Sequence, residues 1–257
     1  MVKDQRDHYY WKAKEDGYRA RSSYKLLQIN KKFKFIKKGD SVVDLGAAPG
    51  GWLQVAKELS AGKTVGVDLQ RIEPIPGVTT FQGDMTREET IDNVKEFLGG
   101  EADVVISDAS PNLSGAWDYD HARSVDLAES ALATAEKLLK PGGNFLAKVF
   151  QGDMFNGYLE HVKKKFSRVK VHHPPASRKE SAEVYVVAKD LLKGRPVKPG
   201  EVFDIKITSL GKSGDGVALI DGFAVIVKGT CLEDEVKVRI KDAKPHFAFG
   251  EVIERNG

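Results

Sequence analysis

Residues 42–52 read VVDLGAAPGGW: a short apolar run, an aspartate, a glycine, and a loop of small residues closing on Gly50, Gly51 and Trp52. A run this short, followed by glycines and then by the amphipathic GGWLQVAKEL, is a buried strand that turns through a tight loop into a helix. Small residues let backbone approach a ligand, and a helix start favours polar oxygens. The dinucleotide fingerprint requires G-x-G-x-x-G, but Ala48 occupies the position of the second glycine. Gly-Lys-Ser/Thr is also missing, so this is no P-loop. A ligand without a diphosphate fits better, such as an adenosine carrying an amino acid. Asp44 is expected to stabilise the loop.

The flanking sequence repeats the strand-and-helix pattern. A helix starting near Ser22 or Ser23 carries Leu26, Leu27 and Ile29 on its apolar side, and KKGD leads from it into SVVDL. TVGVDL, VTTFQG, ADVVISD, NFLAKVF, a segment near Val169 and Val171, and AEVYVVAK read as further strands. Helices are expected from about Arg87 to Leu98, through DHARSVDLAESALATAEKLL, and over Tyr158 to Lys165. The alternation predicts an α/β fold: a mostly parallel, Rossmann-like sheet with helices on both faces and its ligand site at the carboxyl ends of the strands.

The tail is different. After KGRPVKPG the helical period gives way to short β-rich runs (DIKI, VALI, FAVIV, EVKVRI) separated by glycine turns, which describe a small C-terminal β-barrel. The expected domains are 1–193 and 194–257.

Composition narrows the classes. Hydrophobic residues make up 41% of the 257 and charged residues 30%, and no run approaches the roughly 18 apolar residues of a membrane span. A soluble, cytoplasmic protein is expected. The single cysteine, Cys231, allows no internal disulfide and is expected to be a small core residue, and no Cys/His cluster calls for a metal. The net charge of +3 hides a segregation: residues 1–40 hold 12 basic and 5 acidic side chains, residues 41–162 hold 9 and 19, and residues 163–179 hold 7 and none. Two basic blocks around an acidic middle suggest a positive face for a polyanion, or solubilising charge on unrelated helices.

Three aspartates end successive predicted strands. Asp68 is placed to accept ribose hydroxyls, Asp84 to meet an adenine edge or a nearby water, and Asp108 closes the fourth strand in SDASPN. Any one of them is equally a helix cap; all three beside the glycine loop form an acidic rim. Lys148 in FLAKVFQG and Glu183 in SAEVYVV are charges in apolar strands, and an isolated buried charge is costly. They read either as a structural ion pair or, with Asp108 and with Lys25 from the basic helix, as a reactive cluster.

The motifs RARSSYKL, VVDLGAAPGGW, QGD, SDASPN, HARSVDLAESAL, PGGNFLAKVFQG and PASRKESAEVYVVA span most of residues 19–189. In these the chain resembles the FtsJ/RrmJ (RlmE-type) RNA ribose 2'-O-methyltransferases, in the archaeal form that ends in a TRAM domain. The resemblance implies a class I S-adenosylmethionine-dependent methyltransferase. It places a catalytic Lys-Asp-Lys-Glu tetrad on Lys25, Asp108, Lys148 and Glu183, and S-adenosyl-L-methionine contacts on Gly50, Trp52, Asp68, Asp84 and Asp108. Gly50 and Trp52 would form the methionine-side and adenosyl-side walls. The implied acceptor is a uridine ribose of large-subunit (23S) ribosomal RNA; transfer RNA and a non-catalytic ribosome-assembly role are the alternatives. Ala109 and Ser110 depart from the Met-Ala common in bacterial members.

RNA contact is expected from the basic arm, especially Arg19, Arg21 and Lys25, and from Lys163, Lys164, Lys165, Arg168, Arg178 and Lys179. In the tail, whose charge balances, Phe223, His246, Phe247 and Phe249 are stacking surfaces or core. One chain supplies every proposed surface, so a monomer is expected.

Overall fold

A computed structural model describes residues 7–178, 181–193, 196–211, 213–244 and 247–255. Lys179 and His246 lie outside the described residues. The chain divides after Leu191 into two units.

The first unit is a seven-stranded sheet. Its strands are β1 (Val42–Leu45), β2 (Thr64–Asp68), β3 (Thr79–Gln82), β4 (Ala102–Ser107), β5 (Leu139–Phe150), β6 (Phe166–His172) and β7 (Glu183–Leu191). Their spatial order is β3-β2-β1-β4-β5-β7-β6. Strands β1 to β5 pair in parallel, whereas β7 runs antiparallel between β5 and β6. Its reversal is invisible to a reading of hydrophobic period, because a strand buried on both faces looks the same in either direction. β5 also begins earlier than NFLAKVF. Ala102 pairs with Leu139 and Val104 with Asn144, so the Pro141-Gly142-Gly143 stretch is absorbed as a bulge rather than ending the strand.

Helices cover both faces. Ile91, Val94 and Leu98 of α4 (Glu88–Leu98), Val125, Ala128 and Leu132 of α5 (Trp117–Leu138), and Tyr158 and Val162 of α6 (Phe155–Lys165) pack on one side. Leu26 and Ile29 of α2 (Ser23–Phe33) and Trp52, Val55 and Ala56 of α3 (Gly51–Ser60) pack on the other. A helix that the pattern did not reveal, α1 (His8–Glu15), is capped by Asp7, whose carboxylate accepts from Tyr10 N–H at 3.0 Å. It buries only Ala13, against Tyr24 and Ala176, too narrow an apolar stripe to stand out in sequence.

The second unit is a curled six-stranded sheet. Its strands are β8 (Val202–Lys206), β9 (Ser209–Leu210), β10 (Gly216–Ile220), β11 (Phe223–Val227), β12 (Glu235–Ala243) and β13 (Phe247–Arg255), in the order β8-β12-β13-β11-β10-β9. Alternate residues fill its core, among them Val225, Val227, Val236, Val238 and Ile240. Phe223 packs against that core, and Phe247 and Phe249 meet edge to face at 5.3 Å. Cys231 corrects its expectation: it is exposed, in the turn between β11 and β12, where its N–H donates to Asp234. A turn residue among polar neighbours has no core to enter.

Candidate active site

Strand alternation puts Val43 and Leu45 into the core beneath α4 and α5, and so sends Asp44 to the opposite face. Gly46 then turns with φ of +73°, and a Cβ there would lie 2.6 Å from the Ala109 Cβ. Only glycine lets the loop after β1 pass the loop after β4. Gly50, at φ +106°, opens α3, and a Cβ on it would meet Ile75 at 2.7 Å. Arg19 straps this corner together: its guanidinium donates to the carbonyls of Pro49 (3.1 Å), Glu73 (2.6 Å) and Pro74 (2.8 Å). That arginine is committed inside the fold. Arg21 likewise donates to Ala176 O at 2.7 Å and pairs with Asp7.

A cavity of about 590 Å³ opens at the carboxyl ends of β1, β2, β3 and β4, a size suited to a nucleoside-bearing ligand. Asp68, Asp84 and Asp108 all line it, together with Gly46 and Ala48. Asp68 accepts from Ala48 N–H at 2.8 Å and Gln70 N–H at 2.7 Å, which fixes the loop as well as the carboxylate. Asp84 accepts from the Thr86 N–H and hydroxyl, and those bonds hold its carboxyl below the usual carboxylate range.

Trp52 is placed elsewhere. Its indole is 3% exposed, donates to Ser22 O at 2.9 Å and packs on Tyr185 at 5.8 Å between centroids. Neither its ring nor Gly50 is among the residues lining the cavity. The tryptophan is the floor under α3 and β7.

Beside the cavity lies the second half of the site. Lys148 faces Asp108 across the β4–β5 pair, its Nζ 2.7 Å from the Asp108 carbonyl oxygen and 3.1 Å from Oδ1. Lys25, from α2, pairs with Glu183 at the start of β7. Both lysines are at least nine-tenths buried. The four residues predicted as a tetrad therefore come from four elements to one place. Two further residues tie them together. Tyr185, opposite Lys148 in the β5–β7 register, donates its hydroxyl to Asp108 Oδ1 at 2.7 Å, and Ser177 donates to Glu183 Oε1 at 2.7 Å. Burial, then Asp108 and Glu183, push the Tyr185 phenol well above its usual pKa, so it remains a donor.

Asp44 overturns its expected loop-stabilising role. It is buried, neither carboxylate oxygen has a hydrogen-bond partner, and desolvation reinforced by Asp108 and Asp68 pushes its carboxyl well above the usual range. The acidic rim of Asp68, Asp84 and Asp108 suits a ligand that carries positive charge.

A sheet in this order, with a glycine loop after its first strand and aspartates ending the next ones, defines a Rossmann-like methyltransferase that takes its methyl group from S-adenosylmethionine. The FtsJ-like methyltransferase model matches residues 18–191 and the TRAM domain model matches residues 196–253. The chain belongs to the FtsJ-like methyltransferase family. It is similar to a protein of Methanothrix thermoacetophila named ribosomal RNA large subunit methyltransferase E, 62% identical over 99% of this chain and 100% of that one. A protein of the same name from Methanosarcina mazei is 58% identical over 99% of this chain and 95% of that one. Among solved structures, a putative ribosomal RNA methyltransferase from Plasmodium falciparum aligns with a TM-score of 0.62 at 30% identity, covering 68% of this chain and 99% of that one.

Among the described residues no helix is long and apolar enough to cross a membrane, and no group of three or more His, Cys, Asp or Glu is placed to hold a metal ion.

Proposed function

We propose that this enzyme methylates a ribose 2'-hydroxyl of large-subunit ribosomal RNA, at a uridine, with Lys148 as the residue that meets the hydroxyl. The observation that carries the reading is the meeting of Lys148, Asp108, Glu183 and Lys25 beside an acid-lined cavity. The names of the relatives at 62% and 58% identity support the choice of RNA.

The bound sulfonium supplies an electrophilic methyl carbon, so the protein's task is alignment, water exclusion and removal of one proton. Asp68 and Asp84 hold the adenosine end, Asp68 at the ribose and Asp84 at the base. Asp108, which lines the cavity, offers negative charge to the cationic end. Lys148 has two acceptors on Asp108. An amine that donates both N–H groups to them keeps its lone pair for the hydroxyl proton; as an ammonium it stabilises the developing alkoxide instead. With Lys148 as the amine, the proton passes to its nitrogen as the new O–C bond forms and the S–C bond breaks; with Lys148 as the ammonium, the same bonds form and break and the proton is released to solvent. Lys25 and Glu183 hold the ribose.

The TRAM-like domain, 194–257, and the methyltransferase domain, 1–193, with its basic arm, both serve RNA in this reading, and the chain acts as a cytoplasmic monomer. Support for an RNA face comes from the meeting of the two basic blocks: Lys32 lies 3.3 Å from His172, and Gln28 accepts from Ala176 N–H. The decisive experiment maps 2'-O-methyl groups on total RNA from cells with and without the protein. A single large-subunit ribose losing its methyl group is expected. An unchanged ribosomal map, with a transfer RNA site lost, would move the substrate to transfer RNA.

A further inference from the structure

We infer that Trp117 is a platform on which an RNA base next to the target ribose stacks. The inference rests on the RNA substrate proposed above and adds a recognition subsite to it.

Trp117 is the first residue of α5 and is 49% exposed, an unusual state for the largest apolar side chain. It is nonetheless held in place. The indole lies nearly parallel to the His121 ring (5.8 Å between centroids, 13° between planes) and to the Phe150 ring (6.1 Å, 15°). His121 is buried, with Nε2 accepting from Met154 N–H at 3.1 Å, so the support beneath the indole is fixed. The loop leading into Trp117 is fixed as well. Asp120 accepts from Ser114 N–H and hydroxyl, both at 2.8 Å, and from Gly115 N–H at 3.1 Å. Leu113 and Tyr119, four residues before Trp117 and two after it, and Met154 are also exposed.

Position decides the occupant. Phe150, whose ring is stacked with the indole, pairs with Glu183 and stands two residues beyond Lys148 on β5, about 6.6 Å by strand rise. On the other flank the Arg123 guanidinium lies 5.5 Å from the Tyr119 ring centroid, and both Arg123 and Asn112 line the cofactor cavity. Whatever covers Trp117 is therefore at the reactive centre, where the substrate has to be. Sequence-specific RNA recognition acts on unstacked bases laid against aromatic rings. A nucleobase is attached directly to the ribose or its neighbour, and its face needs no matched donor set, which suits an indole.

The test uses the full-length protein. In a Trp11→Phe background the remaining tryptophans are the buried Trp52 and the exposed Trp117, so the part of the emission that a further Trp117→Phe change removes reports on Trp117. Titration with a uridine decanucleotide should quench it, while an abasic strand of equal length and charge should not. Trp117→Ala should lower single-turnover transfer to large-subunit ribosomal RNA by about 10- to 100-fold with cofactor affinity unchanged, because stacking is worth about 1–3 kcal/mol per base. Trp117→Phe should restore most of the rate and Trp117→Leu should not. Equal quenching by the abasic strand, or wild-type transfer by Trp117→Leu, would overturn the platform; the latter result would point to an apolar protein contact. Should ribosomal RNA accept no methyl group from the wild type, the proposed function would fall, while base-dependent quenching would still decide the platform.

Discussion

Tyr185 and Lys148, directly opposite each other in the β5–β7 pair, converge on one oxygen, Oδ1 of Asp108. The phenol donates to it at 2.7 Å and the lysine Nζ lies 3.1 Å away. Asp108 is thereby held from two sides while still lining the cofactor cavity, which couples the two halves of the site through one side chain.

Lys148→Ala should lower single-turnover methyl transfer by about 10²- to 10⁴-fold, the range of a positioned acid–base group. Cofactor affinity, measured calorimetrically with S-adenosylhomocysteine, should stay within a few-fold. Near-normal transfer by this variant would remove Lys148 from the mechanism.

Tyr185→Phe keeps the ring against Trp52 and deletes only the donor to Asp108. A hydrogen bond to a charged group contributes about 1.5–3 kcal/mol, so transfer should fall roughly 10- to 100-fold. The pH–rate profile should shift as well, since Asp108 loses a partner and Lys148 feels the change. A uniform loss of melting temperature with an unaltered profile would make the tyrosine structural only.

Asp44 gives a stability prediction with a definite sign. Its folded carboxyl titrates well above the usual value of 3.8, chiefly through desolvation. The folded state thus binds this proton more tightly than the unfolded chain. That contribution is complete below about pH 3.8 and is lost as pH rises towards the folded value. Asp44→Asn removes the titration, so cofactor-free variant and wild type should melt together near pH 3.5, with the variant gaining as pH increases to neutrality. Melting curves across pH check it; a variant less stable at pH 7 would show that the carboxylate is paired in solution.

Arg19→Ala should loosen the glycine loop by cutting three carbonyl contacts from one guanidinium. Cofactor affinity should drop about tenfold, and the salt dependence of RNA binding should be unchanged. A flatter salt slope would return Arg19 to the RNA surface.

Lys32→Glu, on the exposed end of α2 beside His172, should do the reverse: weaker RNA binding, a salt slope reduced by about one, and full cofactor affinity. Filter binding at several salt concentrations separates the two arginine and lysine roles.

Much of this site is legible in sequence because its chemistry conflicts with its surroundings. A lysine in FLAKVF and a glutamate before VYVV have to find partners, and strand-ending aspartates beside a glycine loop have to share a rim. The parts that escape are those whose residues look ordinary. Tyr185 reads as one more strand side chain, and its partner lies 77 positions away. Arg19 and Arg21 read as free charge, yet both close carbonyls inside the fold. Trp52 next to the glycines reads as a ligand wall, while helix geometry turns it into the core. Direction is lost as well: nothing in AEVYVVAK distinguishes a parallel strand from the antiparallel one observed.

β7, placed between β5 and β6, brings the last two members of the reactive cluster into a sheet whose donor cavity uses neither of them. Every residue lining the donor cavity lies between positions 46 and 130, whereas Glu183 and Tyr185 arrive with the last strand of the sheet. Residues up to the end of β6 include the whole lining of the donor cavity and neither Glu183 nor Tyr185, so binding of the methyl donor and handling of the acceptor's proton are written in separate stretches of the chain.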